Sequence, residues 1–94
     1  MILRIDTSDM KKVKVSLGDK GKIVKSFSAE NEYGSQALLT LIKKIGIKNI
    51  SEVMVETGPG SFTGLRVGVS VANALGFSLG IPVNGKKIET DLVY

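Results

Sequence analysis

Apolar and polar residues alternate over residues 12–17, where Val13, Val15 and Leu17 are set against Lys12, Lys14 and Ser16. Period two puts each set on its own side of an extended chain, which marks a half-buried strand. Residues 2–6 read as a shorter strand before it, ending in the polar turn Thr7-Ser8-Asp9. Gly18-Asp19-Lys20-Gly21 predicts a hairpin turn whose two glycines supply positive φ. Residues 22–28 form the return strand, with Ile23 and Phe27 on one side. The spacing then becomes helical. Leu38, Leu41, Ile42 and Ile45 make one stripe, opposite Gln36, Thr40, Lys43 and Lys44. This predicts a helix from residue 32 or 33 to 45, with Asn31 as N-cap and Gly46 as left-handed C-cap. Residues 52–57 alternate again, with Val53 and Val55 between Glu52, Met54 and Glu56. A glycine-rich loop leads into a second helix from about residue 65 to 79; Gly80-Ile81-Pro82 ends it and Val83 opens a last strand.

Three strands, a helix, a strand, a helix and a strand describe an α/β domain spanning residues 1–94, with a mixed sheet. The second helix is apolar nearly all round. Leu65, Val69, Ala72, Leu75 and Leu79 share one face; Val67, Val71, Ala74 and Ser78 lie almost opposite. A helix buried on two sides is core to something larger than one small sheet. Val67, Val71 and Ala74, helped by Leu38 and Leu41 of the first helix, are therefore expected to form a helix-to-helix interface, while Gly68, Ala72 and Gly76 allow close packing on the sheet.

Charge and composition narrow the chemistry. The net charge is +4, and Lys11, Lys12, Lys14, Lys20, Lys22 and Lys25 fall in one early segment. No aromatic residue interleaves with them to stack bases, so a solvated hairpin is the stronger reading than a nucleic-acid patch. The chain holds no cysteine and no histidine. Thiolate chemistry, cysteine metal sites and imidazole acid–base catalysis are thereby excluded, and no metal site or cofactor is expected. No apolar run reaches transmembrane length, and the first residues do not form a signal peptide. A cytoplasmic protein without a membrane partner is the expectation.

The distinctive stretch is Gly58-Pro59-Gly60-Ser61-Phe62-Thr63-Gly64-Leu65-Arg66. Glycines there let backbone approach closely and aim amide groups above a helix N-terminus; Ser61 and Thr63 add hydroxyls, and Arg66 adds a fixed positive charge. It lacks the Gly-Lys-Ser/Thr of a Walker loop and is not a Gly-x-Gly-x-x-Gly fingerprint. An anion cradle and a plain tight turn with a helix cap both fit.

This loop, the opening Met1-Ile2-Leu3-Arg4-Ile5-Asp6-Thr7-Ser8, the run from Val67 to Gly76, and Gly80-Ile81-Pro82-Val83 resemble the N-terminal half of the TsaB (YeaZ) family. The resemblance implies an actin/Hsp70-like (ribonuclease H-like) lobe. Its five-stranded mixed sheet, in the order 3-2-1-4-5, would carry two helices on one face. It implies a scaffold rather than an enzyme, serving threonylcarbamoyl transfer to tRNA beside a TsaD-like catalytic subunit and a TsaE-like ATPase. Pairing would run through the two helices, with a homodimer when alone and tRNA met only through the complex. The residues facing a partner or phosphate would be Asp6, Thr7, Ser8, Gly58, Gly60, Ser61, Thr63, Gly64 and Arg66. The alternative is half of an ATP- or phosphate-binding enzyme completed by dimerisation. Against it, Asp6 is followed by Thr7-Ser8-Asp9-Met10 without the glycine that admits phosphate, and a turn-capping Asp6 is the stronger reading. Arg4 and Glu56 replace the small residues usual in the family. They are expected on the helix-free face of neighbouring strands, joined as a cross-strand ion pair.

Overall fold

A computed structural model describes residues 1–9, 11–30 and 36–93. The elements are β1 (Ile2–Asp6), β2 (Lys12–Asp19), β3 (Lys22–Glu30), α1 (Gln36–Ile45), β4 (Glu52–Val55) and α2 (Phe62–Leu79). The sheet order is β3-β2-β1-β4. β1 runs antiparallel to β2 and parallel to β4, while β2 runs antiparallel to β3. β3 therefore points the same way as β4, and α1 is the crossover between them.

The alternation read from sequence becomes the two faces of this sheet. Leu3 and Ile5 of β1 lie opposite Leu17 and Val15 of β2, and opposite Val53 and Val55 of β4. All six are buried, in one cluster with Leu38, Leu41, Ile42 and Ile45 of α1 and with Val69 and Ala72 of α2. Both helices thus cover the same face, α1 over β2 and β3, α2 over β1 and β4. Burying each Val, Leu or Ile of this cluster contributes about 1.5–3 kcal/mol before the entropy of ordering it.

Several expectations need correction. The sheet has four strands, and the fifth is reduced to a bridge between Val83 and Val53. Val53 N–H donates to the Pro82 carbonyl at 3.0 Å and Asn84 N–H to the Val53 carbonyl at 2.8 Å. The chain then turns away, with Asn84 at φ 52° and Gly85 at φ 75°. In the β2–β3 hairpin the positive φ values fall on Lys20 and Gly21, not on Gly18. A register shift between Leu17 and Gly18 separates Ile23 from Phe27: Phe27 packs against the core, whereas Ile23 borders the helix-free face beside Arg4 and Met54. Leu38 and Leu41 are core residues facing the sheet, so they do not form an outward helix interface. Gly46 closes α1 as expected, at φ 82° and with its N–H donating to Ile42. The expected cap at Asn31 and the first residues of that helix fall outside the described residues.

Arg4 and Glu56 do share the helix-free face, both bordering a shallow depression of mixed polar and apolar lining with Asp6, Lys14, Ser16, Ile23 and Met54. Among the described residues the ion pairs are Lys86–Glu89 and Lys86–Asp91; Arg4 and Glu56 form none. The Glu56 carboxylate turns back instead and accepts from Gly58 N–H at 3.2 Å. No helix is long and apolar enough to cross a membrane among the described residues.

Candidate functional site

The end of β1, the glycine loop and the start of α2 meet at the C-terminal edge of β1 and β4. α2 begins three residues earlier than the apolar periodicity suggests, because Ser61 is its N-cap. The Ser61 hydroxyl accepts from Gly64 N–H at 3.3 Å, and its carbonyl accepts from Leu65 N–H at 2.9 Å. Its own N–H donates to the Ser8 carbonyl at 2.8 Å, tying the cap to the segment after β1. The Gly58–Pro59 peptide is cis.

The glycines serve the approach of this chain to itself. A Cβ on Gly60 would come 2.7 Å from Ser8 Cβ. One on Gly64 would strike the Thr7 carbonyl, one on Gly68 the Thr7 hydroxyl, and one on Gly58 the Val93 carbonyl. Thr7 is 1% exposed and donates its hydroxyl to the Gly64 carbonyl, so it points inward and does not belong to an exposed loop surface. Asp6 is half-buried, and its Oδ1 accepts from Ser8 N–H at 3.0 Å and from Ser8 Oγ at 2.6 Å, a side-chain-closed turn. Thr63 and Arg66 are exposed on the first turns of α2. Farther along, Ser70 and Ala74 are exposed, while Val67 and Val71 are half-buried at the margin of the core.

A polar cluster beyond the last strand stub escaped the sequence reading. Glu89 is 4% exposed and accepts from Asn84 Nδ2 at 2.9 Å, Asp91 N–H at 2.9 Å and Lys86 Nζ at 3.1 Å. Its backbone joins α2 through Asn73: Glu89 N–H donates to Asn73 Oδ1 at 2.8 Å, and Asn73 Nδ2 donates to the Glu89 carbonyl at 2.9 Å. Burial works to raise the Glu89 carboxyl, but the three donors outweigh it and hold the group below its ordinary value. Lys86 is raised by its hydrogen bonds to Asp91 first and Glu89 second. The cluster pins residues 84–93 along α2 and delivers Val93 N–H to the Thr57 carbonyl at 2.8 Å, beside Gly58. The Asn84-Gly85 pair, a strong turn signal, was the clue in the sequence that the strand would stop.

This loop-to-helix corner lies within the stretch that known proteins share. The family model described as TsaD, tRNA N6-adenosine threonylcarbamoyltransferase, matches residues 35–85, more than half of the chain. The chain belongs to the TsaD family. Relatives of this TsaD-family chain include the tRNA threonylcarbamoyladenosine biosynthesis protein TsaB of Buchnera aphidicola, 37% identical over 93 residues, which cover 90% of this chain and 43% of that protein. TsaB of Bacillus subtilis is 46% identical over 44 residues, covering 46% of this chain and 19% of that protein. The solved structure of YeaZ from Pseudomonas aeruginosa superposes with a TM-score of 0.75 at 27% identity, over 87% of this chain and 42% of that one. The chain thus spans less than half the length of these relatives. Its TsaB/YeaZ-like relationship extends over most of the chain, 90% of it in the Buchnera match and 87% in the YeaZ superposition.

Proposed function

We propose that this chain is a non-catalytic partner in tRNA threonylcarbamoyladenosine biosynthesis, pairing with a TsaD-like catalytic subunit through the exposed side of α2. The observation that carries this reading is the packing of Thr7 and Ser8 onto Gly60, Gly64 and Gly68. A phosphate-binding corner needs free backbone and an open approach, whereas here the glycines accommodate the protein's own chain. Asp6, the carboxylate best placed for a metal, spends an oxygen on Ser8. With no histidine and no cysteine in the sequence, the residues left for acid–base work are few. These points weigh against the alternative of a phosphate-binding half-enzyme.

The side of α2 turned away from the sheet carries Thr63, Arg66, Ser70, Ala74 and Phe77 with Val67 and Val71 at its margin, and the 85% exposed Phe77 gives it an apolar anchor for another helix. The same proposal covers a homodimer formed there by the chain alone, a TsaE-like ATPase acting on the assembly, tRNA met through the complex, and a cytoplasmic setting. The test is nucleoside mass spectrometry of tRNA from bacteria depleted of their own TsaB and supplied with this chain. Restored threonylcarbamoyladenosine that depends on TsaD supports the proposal. No restoration, or transfer by the purified chain without TsaD, contradicts it.

A further inference from the structure

β3 is an outer strand of the sheet, and among the described residues its far edge has no partner. It is 9 residues long, and its apolar Ile23 and Val24 are 67% and 52% exposed. Unpaired backbone N–H and C=O groups beside exposed apolar side chains make a template for another strand. Lysines on such an edge repel further copies of the same chain, but they leave pairing with a strand of opposite charge open.

Cations lie beside this edge on the helix side and farther in, over β1 and the hairpin, on the other. On the helix side, Lys25 stands two positions before Phe27, and Lys44 of α1 lies 5.1 Å from the Phe27 ring centroid. On the other side, a dimple of about 50 Å³ beside Ile23 is bordered by Arg4, Lys20 and Lys22, with Ile2 beneath and no carboxylate in its lining. Arg4, Lys20, Lys22 and Lys25 make no ion pair among the described residues. The one carboxylate of the strand, Glu30, sits at its far end.

We propose that the outer edge of β3 docks an extended acidic segment of another protein, paired through the backbone along residues 22–28. Carboxylates of the added strand would meet Lys25 and Lys44 on the helix side, and its alternate apolar side chains would continue the surface of Ile23 on the other. A second copy fits less well, since each chain brings a net charge of +4. This site is remote from α2 and does not depend on the function proposed above.

The test uses a fluorescent strand-length peptide alternating Glu and Val, its Lys–Val counterpart, and the intact chain. Fluorescence anisotropy should show the acidic peptide binding about tenfold tighter than the basic one, as expected of a few exposed ion pairs, and weakening with salt. Hydrogen exchange should slow at outward-facing β3 amides when the acidic peptide is bound. Lys25→Glu with Lys44→Glu, both exposed positions, should invert the preference; Lys20→Glu with Lys22→Glu should do so should the first pair disturb folding. Equal binding of the two peptides, binding without protection of β3, or a β3-paired dimer of the chain itself would overturn the proposal.

Discussion

The side-chain carboxamide of Asn84 stands where the backbone of a fifth strand would pair with Val55. Val55 N–H donates to Asn84 Oδ1 at 2.8 Å, and Asn84 Nδ2 donates to the Val55 carbonyl at 3.0 Å. One side chain thus caps the edge of β4 and lets the main chain leave.

Asn84→Gly keeps a residue at ease with positive φ but removes the carboxamide. Two half-buried groups of Val55 then lose their partners and Glu89 loses a donor, at a cost of about 1–3 kcal/mol. Urea unfolding of the variant should show a lowered midpoint; an unchanged midpoint would mean that water replaces the amide without loss.

Acid should loosen the same region. Donors hold Glu89 below its ordinary value of 4.5. A carboxyl depressed in the folded state stabilises the fold above its unfolded value, and that contribution is lost as pH falls through the folded value. The contribution is therefore complete at neutral pH and fades beneath about pH 4.5. Glu89→Gln should be less stable at neutral pH and should show a shallower decline of unfolding midpoint on acidification. Parallel pH profiles for the two proteins would remove Glu89 from the account.

Two glycine variants separate crowding from backbone strain. Gly64→Ala brings a methyl against the Thr7 carbonyl, and such overpacking costs about 1–3 kcal/mol. Gly80, the C-cap of α2 at φ 68°, has open space around it, so Gly80→Ala should cost only the left-handed conformation, about 1–2 kcal/mol. Thermal unfolding should rank Gly64→Ala as the more damaging, and it should also perturb the amide signals of Thr7 and Ser8.

What the sequence revealed and what it hid divide by range. Val13, Val15 and Leu17 announced their strand, and Leu38, Leu41, Ile42 and Ile45 announced the buried face of α1, because local periodicity decides both. Their burial also withdrew Leu38 and Leu41 from the expected interface, since one apolar stripe cannot face the sheet and a partner at once. Ser61 was missed as a cap because Thr63 and Gly64 look unlike a helix start. The contact of Gly64 with Thr7 joins residues far apart in the chain, and no local pattern encodes it. Glu56 was expected to meet Arg4 across strands but found a nearer donor in Gly58 N–H, a competition that register alone does not settle.

Asp6 offers a check on the phosphate-binding alternative. Its carboxylate closes the turn to Ser8, so Asp6→Asn should lower stability modestly and leave the chain as inert toward ATP as before. ATP hydrolysis that survives repurification and disappears in Asp6→Asn would establish the half-enzyme instead.

The most direct test of the scaffold reading is sedimentation of the chain mixed with a TsaD-like protein, comparing wild type with Val71→Glu. Val71 is half-buried at the margin of α2, where a carboxylate would face the proposed partner helix. A stable complex is expected with wild type and none with Val71→Glu, both chains keeping the same circular dichroism. Equal complex formation by the two chains, or no complex with wild type, would contradict it.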